Sequence, residues 1–170
     1  MASTNLESVT AALQNTHVSP SGVSFSGKSL KLDSEDDAKP VTEAIDNCTE
    51  LQYLNLEGNT LGVEASKAIA KAIEKHPEFK RALWKDMFTG RMKTEIPKAL
   101  QYLGDGLVTA GAHLTELDLS DNAFGPIGVE GLASLLRSSS CYALEELRLN
   151  NNGLGITGGK LFSICTDRLL

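Results

Sequence analysis

With 170 residues, 41% of them hydrophobic and 22% charged, the chain has the composition of one ordinary globular domain. Its net charge of −6 opposes binding to nucleic-acid phosphates and suits a partner carrying basic patches. Three widely spaced cysteines (Cys48, Cys141, Cys165), the lack of a signal-peptide pattern after Met1 and the lack of any membrane-length apolar run together predict a soluble intracellular protein.

Along the chain, Leu6-Glu-Ser-Val9-Thr-Ala-Ala-Leu13 reads as a short amphipathic helix, so residues 1–19 are expected to cap the rest of the chain. Val23, Phe25, Lys28 and Leu30 then stand at offsets 3, 5, 8 and 10 from Pro20. Ser34-Glu-Asp-Asp37 has the form of a capping box leading into a helix with Val41, Ala44 and Ile45 inward. Leu51, Leu54, Leu56, Asn59 and Leu61 repeat the offsets 0, 3, 5, 8 and 10 in full. A helical stripe comes next, from Gly62 to His76, stopped by Pro77. Phe79, Ala82, Trp84, Met87 and Thr89 fall on the same offsets, with methionine in place of asparagine. The spacing predicts a third helix over Thr94–Ala110, with Pro97 in its first turn and Gly104 and Gly106 weakening its middle. Leu114, Leu117, Leu119, Asn122 and Phe124 precede a fourth helix, Pro126–Ser138. Leu144, Leu147, Leu149, Asn152 and Leu154 precede a last one, from about Thr157 onward.

Five units with origins at 20, 51, 79, 114 and 144 are thus spaced by 31, 28, 35 and 30 residues. This is the leucine-rich-repeat pattern, in which each unit supplies a short strand and then a helix. The fold class is α/β: a right-handed solenoid over residues 20–170, with a parallel sheet on the concave face and helices on the convex face. Asn59, Asn122 and Asn152 are read as structural, their amides satisfying backbone groups at the turn after each strand. Such a stack works as a binding surface.

Offset 4 and the two positions after offset 5 are expected to face solvent, giving a polar rim of mixed charge. One segment breaks the pattern: Lys85-Asp-Met-Phe-Thr-Gly90-Arg91-Met-Lys93, inside the 35-residue spacing. Insertions of this kind land on rim loops, where functional residues gather. Phe88 and Arg91 are candidate partner anchors there. The alternative tucks Phe88 into the stack, and the pattern by itself favours that alternative. His17, His76 and His113 are far apart, and no phosphate-cradling loop or nucleophile elbow is present. The acids Glu116, Asp118 and Asp121 read as solvated or as contacts for a basic partner. No catalytic constellation, metal site or cofactor is expected.

The stretches Asp86-Met-Phe-Thr-Gly-Arg-Met-Lys-Thr-Glu-Ile-Pro97, Leu117-Asp-Leu-Ser-Asp-Asn-Ala-Phe-Gly-Pro126 and Leu149-Asn-Asn-Asn-Gly-Leu-Gly155 closely resemble the Ran GTPase-activating protein family. The likeness runs in order from about residue 20 to residue 160. It implies a GTPase activator that binds the small GTPase Ran in its GTP-bound form and stimulates hydrolysis, as used in nucleocytoplasmic transport. Arg91 matches the arginine that the family's loop requires, and Asn151 matches its asparagine near the GTPase centre. Lys85, Asp86, Phe88 and Asp121 are weaker contacts. The resemblance implies an activator with no catalytic site of its own, one that orders the GTPase's own glutamine and water rather than inserting an arginine finger. It also implies a cytoplasmic location, including the cytoplasmic side of the nuclear envelope. A monomer without nucleic-acid or membrane partners is expected. The family's solenoid is longer than five units, so a truncated domain of reduced activity is expected here. The alternative is a non-catalytic leucine-rich scaffold.

Overall fold

The computed structural model describes residues 17–19 and 21–166. In chain order the described elements are β1 (His17–Ser19), β2 (Gly22–Ser24), β3 (Lys31–Leu32), α1 (Glu35–Asn47), β4 (Tyr53–Asn55), β5 (Thr60–Leu61), α2 (Val63–Ile73) and β6 (Arg81–Leu83). They continue with α3 (Ile96–Ala110), β7 (Glu116–Asp118), α4 (Gly125–Arg137), a 3-10 turn (Ser139–Cys141), β8 (Glu146–Arg148) and α5 (Gly155–Thr166). The main sheet has the order β1-β2-β4-β6-β7-β8, parallel throughout except for the antiparallel β1. Each helix packs on the next, α1 through α5. The expected cap over residues 1–19 lies outside the described residues except for β1, which continues the sheet beyond β2.

The offset pattern is the register of the sheet. Val23, Leu54, Ala82, Leu117 and Leu147 are successive Cα partners across β2, β4, β6, β7 and β8, all at offset 3. Period-2 alternation sends these residues and their offset-5 companions inward, where the helices cover them. Leu51, Leu54, Leu56, Leu114, Leu117 and Leu119 are all buried, as are Phe79, Ala82 and Trp84 of the long unit. In the last unit Leu144, Leu147, Leu149 and Leu154 are only half-buried.

The offset-8 asparagines do more than finish their own turns. Asn122 Nδ2 donates to Leu119 O at 2.9 Å and to Trp84 O of the preceding unit at 2.9 Å, while its Oδ1 accepts from Met87 N at 2.8 Å. Asn59 and Asn152 make the same three kinds of bond, with Oδ1 accepting from Leu30 N and Asn122 N. Each amide therefore satisfies backbone groups of two repeats and fixes their stagger. In the first unit the frame shifts: Leu32, not Leu30, pairs with Leu61, because two extra residues follow the turn.

Helix ends follow local chemistry. Ser34 caps α1 as expected: Asp37 N donates to Ser34 Oγ at 3.2 Å and Ser34 N donates to Asp37 Oδ2 at 2.9 Å. The remaining helices begin or end within a few residues of expectation, with α2 stopping at Ile73. The glycines of α3 are there for packing. A Cβ on Gly106 would lie 2.7 Å from Ala70 O of α2, and one on Gly131 of α4 would lie 2.4 Å from Pro97 O of α3. The intrinsic cost of helical glycine, about 1 kcal/mol relative to alanine, is offset by the close approach of neighbouring helices.

Candidate functional site

The rim is built from one backbone feature repeated five times. At offset 7 every unit turns through a left-handed residue: Gly27 (φ 68°), Gly58 (74°), Asp86 (45°), Asp121 (59°) and Asn151 (54°). Glycine, aspartate and asparagine are the types that enter this region at least cost. The turns are stitched together by main-chain bonds, Gly27 N to Glu57 O (2.7 Å), Gly58 N to Asp86 O (3.0 Å), Asp86 N to Ser120 O (3.0 Å) and Asp121 N to Asn150 O (2.9 Å). Side chains at this offset stand in a row along one edge of the solenoid.

Arg91 does not join that row. Its side chain is 11% exposed and runs back into the first two units. Nη1 pairs with Asp33 Oδ1 at 2.5 Å, Nε donates to Thr60 Oγ1 at 2.9 Å, and Nη2 donates to Thr60 O at 3.0 Å and to Leu32 O at 3.4 Å. Gly62 makes room for it, since a Cβ there would lie 3.2 Å from Nη1. The Arg91 guanidinium holds the Asp33 carboxyl below its ordinary value, chiefly through this hydrogen bond. Thr60 Oγ1 in turn donates to Thr89 O at 2.9 Å, so arginine and threonine clamp the inserted loop onto β5. Phe88, expected at the rim as a partner anchor, is 2% exposed and bridges to Thr60. Its ring lies in the stack, as the pattern alone favours.

The outward residues form a polar chain across four units. Lys85 Nζ lies 3.5 Å from Asp121 Oδ2 and 3.7 Å from Glu57 Oε1. Asp121 raises the lysine above its ordinary pKa, followed by Glu57. Asn151, exposed, donates from Nδ2 to Asp121 Oδ1 at 3.0 Å. Its Oδ1 accepts no hydrogen bond from any described residue. Asp86 accepts from Thr89 Oγ1 at 2.5 Å. The structure thus gathers Lys85, Asp121 and Asn151 in contact, sets Asp86 in the next turn, and turns Arg91 and Phe88 inward.

Three residues expected to face solvent do not. Glu116, Asp118 and Ser120 are buried, because neighbouring concave side chains cover them. Arg148 reaches Asp118 Oδ2 at 3.4 Å and Glu116 Oε1 at 3.1 Å, and Arg81 Nε donates to Glu116 Oε2 at 2.6 Å. These acids are therefore already paired with two arginines. Among the described residues no group of His, Cys, Asp or Glu is arranged to hold a metal ion. Burial pushes the Cys141 thiol up to about 11, which leaves it a poor nucleophile.

A sequence model of the leucine-rich repeat matches residues 47–70 and 112–133. The Ran GTPase-activating protein 1 of Xenopus laevis is 53% identical over 163 residues, 96% of this chain and 28% of its own length. The Ran GTPase-activating protein of Drosophila melanogaster is 56% identical over 142 residues, 84% of the chain and 24% of its own. That of Saccharomyces cerevisiae is 38% identical over 144 residues, 81% of the chain and 34% of its own. The chain belongs to the Ran GTPase-activating protein family. It spans between about a quarter and a third of the length of these three relatives.

For a Ran GTPase-activating protein homologue, the sequence had marked the loop but not its partners. Asp33 and Thr60 lie 58 and 31 residues from Arg91 in the chain, in other repeats. The only local signal was Asp33 standing just before the capping serine.

Proposed function

We propose that this chain binds Ran in its GTP-bound form and stimulates hydrolysis of the bound GTP, with the chemistry taking place in the GTPase. The observation that carries the reading is the division of the rim between an inward arginine and an outward asparagine. Hydrolysis of a γ-phosphoryl group is limited by positioning of the attacking water and by neutralisation of developing charge. To act as a finger, Arg91 would have to leave Asp33, Thr60 and Leu32. Hydrogen bonds to charged groups are worth about 1.5–3 kcal/mol each, so withdrawal forfeits several such terms before any gain. Arg91 is better suited to hold the loop, and hence the rim, in the shape that the GTPase meets.

Asn151 has the opposite situation. Its amide stands on an exposed left-handed turn, steadied on one side by Asp121. An amide offers both a donor and an acceptor, which suits it to fixing a switch residue of the GTPase that in turn orients water. Asp121 and, through it, Lys85 supply charge around it. We place its action in the cytoplasm, on the cytoplasmic side of nuclear transport; no helix among the described residues is long and apolar enough to cross a membrane. The test is a single-turnover assay of GTP hydrolysis by Ran with and without the chain. Binding of GTP-loaded Ran without acceleration would leave a non-catalytic scaffold instead.

A further inference from the structure

Between the left-handed turns of the first three repeats lies a cavity of about 230 Å³, lined by Ser29, Leu30, Gly58, Thr60, Asp86 and Thr89. It exists for a reason visible in the repeat. The row of offset-7 side chains runs Asn151, Asp121, Asp86 and then stops, because Gly58 and Gly27 carry none. The two glycines approach so closely that a Cβ on Gly58 would lie 3.3 Å from Gly27 Cα. The long third repeat then raises a second wall, where Thr89 O accepts from Thr60 Oγ1, and Arg91 fixes Thr60 from the other side.

One charge in this cavity has no counter-ion. Asp121 and Glu57 share Lys85, Asp33 holds Arg91, and Glu116 and Asp118 hold arginines of the concave face. Asp86 forms no ion pair with any described residue, and its recorded polar side-chain contact is the hydroxyl of Thr89. An apolar-walled recess with a single unpaired carboxylate fits a side chain that has an aliphatic stem and a cationic tip. The chain's net charge of −6 favours approach of a basic surface as well.

We propose that this cavity receives a lysine or arginine side chain of the partner GTPase, with Asp86 as its counter-ion. The proposal rests on the activator function proposed for the chain and adds a docking subsite to it. The subsite holds the partner and does not touch the reacting phosphate, so it acts on affinity rather than on the limiting rate.

The experiment is single-turnover hydrolysis by GTP-loaded Ran, titrated with the wild-type chain, Asp86→Asn and Ser29→Trp. Asp86→Asn should raise the half-saturating concentration about tenfold, equivalent to ~1.4 kcal/mol, leave the limiting rate unchanged and flatten the dependence on salt. Ser29→Trp, which fills the recess and excludes the guest side chain, should raise half-saturation as well. Replacing the GTPase's surface lysines and arginines singly by alanine should reveal one whose effect is lost in the Asp86→Asn background. If the wild-type chain stimulates hydrolysis and both variants match its half-saturation, the subsite is refuted while the function stands. A fall in limiting rate at unchanged half-saturation also overturns it. A wild-type chain that never stimulates hydrolysis overturns the function, and the subsite with it.

Discussion

Arg91 and Asn151 lie on the same edge of one solenoid, yet their surroundings are opposite. Arg91 is half-buried in a loop lengthened beyond the repeat, and three of its nitrogens are committed to Asp33, Thr60 and Leu32. Asn151 sits in a unit of regular length and stands exposed, with Asp121 as its recorded polar side-chain partner. A residue marked by its motif therefore need not be one presented at the surface. An irregular loop has to be held in shape by something, and here a cation from the loop does it. A regular turn is already held by the repeat, which leaves its side chain free to act.

The contrast between inward and outward residues is sharpest for two asparagines one offset apart. Replacing buried Asn122 by alanine orphans Met87 N–H and the Trp84 carbonyl, while Leu119 O keeps its bond from Asn152 Nδ2. Each unsatisfied buried group costs about 1–3 kcal/mol, so the largest loss of stability in the set, ~3 kcal/mol or more, should appear in urea unfolding. Arg91→Ala comes next. It should lower stability by about 1.5–3 kcal/mol, leave the circular dichroism spectrum intact and abolish stimulation of hydrolysis. Arg91→Lys, which keeps charge but loses the fork, should fall between the two forms.

A smaller effect comes from protonation. Because Arg91 holds the Asp33 carboxyl below its ordinary value of 3.8, the pair's contribution is complete above that value. It disappears as pH falls further, through the lowered value of the folded state. Wild type should therefore be more stable than Asp33→Asn at neutral pH, and the two melting curves should converge under acid. A gap that stays constant down to the lowest pH would remove this ion pair from the account.

The strand frame was legible in the sequence because each unit repeats its apolar offsets, and the register of Val23, Leu54, Ala82, Leu117 and Leu147 follows from them. The capping box at Ser34 was legible for the same reason, being local. Contacts that cross repeats were not. The clamp of Arg91 on Asp33 and Thr60 depends on how three units stack, and nothing within the loop announces it. Asp118 is buried beneath Arg148, which reaches it from the neighbouring strand, so a rule about which way a strand residue points could not foresee it. The close helix contacts at Gly106 and Gly131 likewise reversed the meaning of glycines that local propensity counts as weaknesses.

Asn151→Gly is the mildest change to the fold and the most telling for function. Glycine removes the amide but keeps the left-handed turn (φ 54°), so stability should alter by no more than about 0.5 kcal/mol. The decisive comparison is single-turnover GTP hydrolysis by Ran with the wild-type chain and with Asn151→Gly at saturating concentration, beside a thermal melt of each. Clear acceleration by the wild type is expected, with a limiting rate lowered at least tenfold for the variant, or about 1.4 kcal/mol of barrier, and superimposable melts. Equal limiting rates for the two proteins, or no acceleration by the wild type, would overturn the role given to the asparagine rim.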